Sequence, residues 1–155
     1  MAYRIEGLAR EGFADLFGLD DEALARRGAL RVKATGKPGF PCRVTLVDAE
    51  EGESLILVNH VSHDAATPYR AAFAIYVREA AEQAAVYEDA LPPVFSGRPL
   101  SLRGFDAQGM LRAAVLALPG EADAKIRALF DSAEIETIHA HNAAPGCFAA
   151  RIERN

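Results

Sequence analysis

Leu100-Ser-Leu-Arg-Gly-Phe105 and Met110-Leu-Arg-Ala-Ala-Val-Leu-Ala117 flank the turn sequence Asp106-Ala-Gln-Gly109. Two strand-like runs on either side of a Gly-closed turn predict a β-hairpin, the unit of an antiparallel sheet. Beyond it, Pro119-Gly120 precedes a helix expected over about 121–132, where Ala122, Ile126, Leu129 and Phe130 share one face. The chain then runs through Ile-Glu-Thr-Ile-His139-Ala-His141-Asn142 and Ala-Ala-Pro145-Gly146 into Cys147-Phe-Ala-Ala-Arg151, a second hairpin. Hairpins joined by short turns, with one amphipathic helix between them, point to an α+β fold.

The upstream sequence adds to the same sheet. Tyr3-Arg-Ile-Glu-Gly-Leu8 alternates as a short strand. Two short helices are expected over 12–17 and 20–27; the second has Asp20 at its N-cap, acids in its first turn, arginines in its last and Gly28 beyond. Strands are expected at 30–34, 43–47, 54–59 and 72–77. The run over 54–59 is nearly all apolar and should be covered on both faces. Residues 60–68 read as a polar loop, and 82–99, with Pro92-Pro93 and Pro99, as an extended one. The expectation is one domain over 1–155: an antiparallel-rich sheet of about seven or eight strands, short N-terminal helices and the 121–132 helix packed on it.

Composition narrows the function classes. The net charge is −5 and no basic run is longer than Arg26-Arg27, which argues against nucleic acid as a partner. Fourteen Arg stand against three Lys, but so much Ala accompanies them that no single Arg is special on that count. Residues 1–13 are charged and lack an apolar core, and no run reaches the roughly 18 apolar residues that span a bilayer. The sequence reading is therefore cytoplasmic, with no membrane partner and with Cys42 and Cys147 as free thiols. It assigns no oligomeric state.

Reactive side chains concentrate in the last hairpin. His139 and His141 project to one face of a strand, Asn142 to the other. With a four-residue loop, Asn142 faces Cys147 and the thiol lies opposite both imidazoles. With a five-residue loop, His141 faces Cys147, with Cβ atoms about 5 Å apart. The sequence leaves both registers open. In the second, imidazole would stabilise a thiolate and Asn142 would orient the ring or donate to an oxyanion, so His139, His141, Asn142 and Cys147 are the candidate catalytic set. Lys37, Cys42, Arg43, Tyr69, Arg70 and Arg78 are candidate ligand-binding residues, on turns and strand ends that could line an anion-binding cleft with Arg103. His60, His63 and Asp64 would complete a metal site with the terminal histidines, but neither a Cys-x-x-Cys nor a His-Glu-x-x-His spacing is present. No metal and no cofactor is assigned.

Three motifs in order, Lys37-Pro-Gly-Phe-Pro-Cys-Arg43, Pro68-Tyr-Arg70 with Ile75-Tyr-Val-Arg-Glu79, and His139-Ala-His-Asn-Ala-Ala-Pro-Gly-Cys-Phe-Ala149, resemble domain-of-unknown-function family 1203. The resemblance covers nearly the whole chain and departs from the family pattern around residues 71–74, where a Gly-Pro is expected. It implies a small stand-alone bacterial protein and transfers no catalytic residue. The leading functional expectation is a pocket at the His139/His141/Cys147 hairpin that binds a small anionic molecule and acts on it. The alternatives are a non-catalytic accessory module with structural His and Cys, and a zinc-stabilised domain. One consequence is directly measurable: thiol titration of the unfolded, unreduced protein should count two reactive groups, and a count of none would refute the free-thiol reading.

Overall fold

The computed structural model describes residues 2–155. In chain order these form β1 (Tyr3–Glu6), α1 (Asp21–Arg26), β2 (Leu30–Lys33), β3 (Ser54–His63), β4 (Ala71–Arg78), β5 (Val86–Glu88), β6 (Leu100–Phe105), β7 (Leu111–Ala117), α2 (Ala122–Phe130), β8 (Thr137–Asn142) and β9 (Phe148–Arg154). The nine described strands make two antiparallel sheets. One has six strands in the order β5-β1-β9-β8-β6-β7, the other three in the order β2-β3-β4. The fold is α+β and antiparallel, as the hairpin pattern predicts.

Alternation explains the larger sheet. Register aligns Gly104 with Ile138, Leu102 with Ala140, and Ile138 with Ile152. That face, with Ile5 and Leu100, is apolar and buried under α2 through Ala122, Ile126, Leu129 and Phe130. These four are the residues that the helical periodicity puts on one face. Gly104 leaves room in this face for the side chain of Ile135, whose Cδ1 would lie 2.7 Å from a Cβ at that position. The opposite face carries Ser101, Arg103, His139, His141 and Phe148 towards the smaller sheet. α1 follows its sequence signals closely: Asp20 Oδ1 accepts from Ala23 N at 2.8 Å, and Gly28 takes φ +69 beyond the last turn.

Three expectations need correction. First, residues 43–47 are not a strand but an irregular segment, with isolated bridges from Pro41 to Asp48 and from Cys42 to Tyr76 and with Leu46 at φ 55. Its side chains divide between two cores, Cys42 and Val44 against the small sheet, Leu46 against the large one. An apolar run that fills two interiors alternates like a strand without pairing as one. Second, β3 continues through His60–His63, which the sequence reading assigns to a loop. A bulge between Val61 and His63 inserts one residue, so positions three apart both turn inward. Third, residues 82–99 hold the short edge strand β5 and a 3-10 turn at Pro93–Phe95, and 12–17 is built from 3-10 turns instead of an α-helix.

The irregular segment stitches the sheets together. Arg43 N donates to Tyr76 O of β4 at 3.0 Å, Leu8 N donates to Arg43 O at 2.8 Å, and Ala85 N donates to Val44 O at 2.9 Å. Gly7 lies so close to this segment that a Cβ would fall 2.0 Å from Val44 O, a backbone atom with nowhere to go. Gly7→Ala should therefore destabilise the protein by about 2 kcal/mol or more, as overpacking against fixed atoms does. Gly12→Ala, with nothing within 4 Å of its new methyl, is the matched control. Urea unfolding midpoints compare the two; equal midpoints would contradict the close approach.

Candidate functional site

The terminal hairpin settles the register question. Asn142 N donates to Cys147 O at 3.0 Å, Gly146 N donates to Asn142 O at 2.8 Å, and Ala143–Gly146 form the loop. His141 is paired with Phe148, and a bulge follows between Ala140 and His141 on the partner side. This is the four-residue alternative. Cys147 and Asn142 face one way, His139 and His141 the other, so the expected single His/Cys pocket divides into two regions.

The imidazole side is an aromatic layer between the sheets, and all four histidines of the chain enter it. His63 stacks on Phe105 with ring centroids 4.1 Å apart and meets His139 edge-on at 5.2 Å. His139 and His141 both pack against Phe148, Phe73 of β4 covers His141, and His60 bridges Phe13 and Phe148. Hydrogen bonds fix two of the rings. His63 Nε2 lies 2.9 Å from Gly109 O and His141 Nδ1 lies 2.9 Å from Gly146 O. A carbonyl can only accept, so each of these nitrogens carries the proton.

His139 has no such partner. It is 3% exposed, and its Nδ1 is buried without a hydrogen bond. Ser62 Oγ is buried and unpartnered as well. Both residues line a cavity of about 150 Å³ with His63, Tyr69, Arg103, Phe105 and His141. The same Ser62, His63 and His139 also border a wider cleft of about 890 Å³ that reaches Asp106, Gln108 and Arg151. Arg103, paired across the strands with His139, donates to Ser101 Oγ at 3.3 Å and has no carboxylate within ion-pair distance among the described residues. No group of three or more His, Cys, Asp or Glu among them is arranged to hold a metal ion.

Burial pushes His139 down to about 3, with the charges of His63, His141, Arg151 and Arg103 acting in the same direction. Burial likewise brings His141 down to about 4, although the hydrogen bond to Gly146 opposes it. Burial also lowers His60. Near neutrality His139 and His141 are therefore uncharged.

On the other face, Arg43 is 2% exposed. It donates through Nε to Phe148 O at 2.8 Å, through Nη1 to Pro41 O at 2.6 Å and through Nη2 to Cys147 Sγ at 3.1 Å. It lines a cleft of about 390 Å³ with Gly39, Tyr76, Arg98, Asn142 and Cys147. Arg98 is held by Asp48 at 2.6 and 2.9 Å.

The remaining candidates are dispersed. Lys37 pairs with Glu50, Arg70 with Asp64 at 3.0 Å, and Arg78 with Glu53 at 2.6 and 2.9 Å. Cys42 is buried and its sulfur accepts from Thr45 N and Arg78 N. Tyr69 alone of this group borders the 150 Å³ cavity. These six residues do not form the common anion-binding cleft expected of them: three of the four cations are neutralised by acids, Lys37 and Arg78 at the Glu50–Glu53 turn and Arg70 at Asp64. Nothing in the sequence marks Ser62, which the bulge hides, or Arg98. The phenylalanines carry no signal either, since they differ from ordinary core residues only by facing histidines.

The motifs at both faces lie inside a matched region. The family model described as "Protein of unknown function (DUF1203)" matches residues 39–154. The chain belongs to that family. The DUF1203 match begins at Gly39 and so takes in all four histidines, Arg43, Asn142 and Cys147, while Phe13 of the aromatic layer and β1, α1 and β2 precede it. No curated protein and no solved structure matches the chain. No helix among the described residues is long and apolar enough to cross a membrane.

The depressed histidines make stability depend on acid. Each folded-state value lies below the unfolded reference of about 6.5, so the unfolded chain binds protons that the folded protein refuses. Their contribution is complete above pH 6.5 and is lost as pH falls towards about 4 for His141 and about 3 for His139. Going from pH 7 to pH 5 should cost about 2 kcal/mol for each of the two. This window lies above the range in which carboxylates titrate. Denaturant melts at the two pH values check it, and His139→Phe should remove about half the difference. An unchanged midpoint would mean that the rings are open to water.

Proposed function

We propose that the protein binds a small anionic molecule, about the size of one ring, in the cavity between its sheets. The observation that carries this reading is the pair of buried, unsatisfied atoms, His139 Nδ1 and Ser62 Oγ, on the wall of one cavity. Buried polar groups without partners are rare and costly. Neutral His139 has one N–H and one bare nitrogen, so a ligand hydroxyl, which both donates and accepts, is the group that would satisfy Nδ1 in either tautomer. Arg103 supplies the charge complement, since no acid neutralises it among the described residues. Phe105 and Tyr69 offer apolar walls, and a volume near 150 Å³ is comparable to cavities that admit benzene. The wider cleft, whose Asp64, Asp106 and Glu153 are each paired with an arginine, is the route of entry.

The His139/His141 half of the terminal hairpin is thus a recognition surface in this reading, and Cys147 is not part of it. Calorimetric titration with benzoate, phenol and the three monohydroxybenzoates tests the proposal. A hydroxybenzoate should bind at least ten-fold more tightly than benzoate or phenol. Arg103→Met should weaken it ten-fold or more, and His139→Phe should abolish binding while leaving the protein folded. The proposal fails if none of the five compounds binds, or if a binder is indifferent to both substitutions.

A further inference from the structure

The cleft on the opposite face of the hairpin presents a separate chemistry. Cys147 borders it half-buried, with two donors on its sulfur: Arg43 Nη2 at 3.1 Å and Asn142 Nδ2 at 3.6 Å. Arg43 is almost completely buried and meets no carboxylate among the described residues; its other two partners are the neutral carbonyls of Phe148 and Pro41. A guanidinium stays charged in proteins, and a buried charge needs a counter-charge nearby. Of the other charged groups at the cleft, Arg98 is occupied by Asp48, which also accepts from Gly39 N. Cys147 Sγ is the one atom in hydrogen-bond contact with Arg43 able to carry the opposite charge; Cys42 also acts on Arg43, but its sulfur accepts from Thr45 N and Arg78 N instead. A second observation points to a ligand. Asn142 is 8% exposed, lines the same cleft, and has a buried Oδ1 with no hydrogen-bond partner.

We propose that Cys147 is the nucleophile of a second site, which forms covalent bonds with small electrophilic carbonyl compounds carrying an N–H or O–H donor. Arg43 is the positioning residue: its Nη2 donates to the sulfur and stands against the negative charge that attack requires. The imidazoles take no part: His141 spends its Nδ1–H on Gly146 O and faces the other way. With an unsaturated amide, the sulfur electron pair forms the S–C bond at the β carbon. The C=C pair moves to the α carbon, which takes a proton from water. With a haloacetamide, the S–C bond forms as the carbon–halogen bond breaks, and halide leaves with that pair. Neither step changes the oxidation state of a partner or needs another reactant. In both, the amide N–H satisfies Asn142 Oδ1 and the amide carbonyl takes over the Arg43 donor that the neutralised sulfur no longer holds.

This inference does not depend on the cavity between the sheets, since the two share no lining residue. Its test is alkylation of the folded full-length protein by iodoacetamide from pH 6 to pH 8, with the modified peptide identified by mass. Cys147 should react at least ten-fold faster than Cys42 and than a free peptide thiol at pH 6.5. Its rate should fall less than three-fold between pH 8 and pH 6.5, where a free thiol loses more than ten-fold. Asn142→Ala should slow the reaction three-fold or more without steepening the pH profile, and Arg43→Gln should restore the steep profile of a free thiol. If Arg43→Gln does not fold, the profile of the unsubstituted protein decides. A Cys147 that reacts slowly at every pH until the protein unfolds, or whose rate falls with pH as a free thiol does, overturns the proposal. An unchanged rate in Asn142→Ala overturns the assigned ligand class.

Discussion

One buried cation joins the parts of this molecule. Arg43 leaves the irregular segment between the sheets and donates to Pro41 O of its own loop and to Phe148 O of β9. The first bond shapes the loop; the second ties it to the terminal hairpin. The backbone of the same residue reaches both remaining neighbours, through Tyr76 of β4 and Leu8 after β1. Hydrogen bonds from a charged donor are stronger than neutral ones, and in a dry setting losing one leaves a charge exposed to nothing. Two sheets that share no strand are thereby held at a fixed separation. That separation decides whether His63 of β3 can meet His139 of β8.

The position of residues 41–48 follows from a conflict between their side chains and their backbone. Cys42, Val44 and Leu46 are all fully buried, yet they belong to two different interiors. In a regular strand residues two apart line one face, so pairing as a strand would send all three to the same interior. Here the flanking positions are taken by Gly7 and Ala85 on one side and Tyr76 on the other, at spacings that do not repeat. Turns and isolated bridges satisfy the backbone instead. Gly7 is the concession on the other side of this contact: only a residue without Cβ tolerates a carbonyl so near.

The regular part of the fold was legible for local reasons. α2 could be read from four apolar residues at helical spacing, and α1 from Asp20 and Gly28, because each signal acts within a turn or two of itself. The β6–β7 and β8–β9 hairpins were legible because their turns lie between the strands they join. What failed was non-local. Residues 43–47 carry strand-like alternation, and nothing within them reveals that two sheets compete for their side chains. His60 and His63 look like a loop pair, since a three-residue spacing contradicts strand alternation unless a bulge intervenes. The candidate site was legible by residue type and illegible by grouping. His139, His141, Asn142 and Cys147 are correctly concentrated in one hairpin, but a loop of four residues sends them to opposite faces.

That division also separates two kinds of chemistry that would interfere if they met. A histidine held near 3 or 4 is no proton shuttle at neutral pH, because its conjugate acid is scarcely populated. In the layer of Phe73, Phe105 and Phe148, the imidazoles serve as fixed dipoles: carbonyl acceptors orient His63 and His141, and a bare ring nitrogen is left on His139. A thiolate placed among them would raise their proton affinity and draw a charge into the layer. Arg43 stands between the two regions, its Nε on the carbonyl of Phe148 whose ring belongs to the layer, its Nη2 on the sulfur of the next residue back. The alternation of a single strand therefore gives the neutral imidazoles and the cation-held thiol separate surroundings, while one guanidinium keeps the distance between them constant.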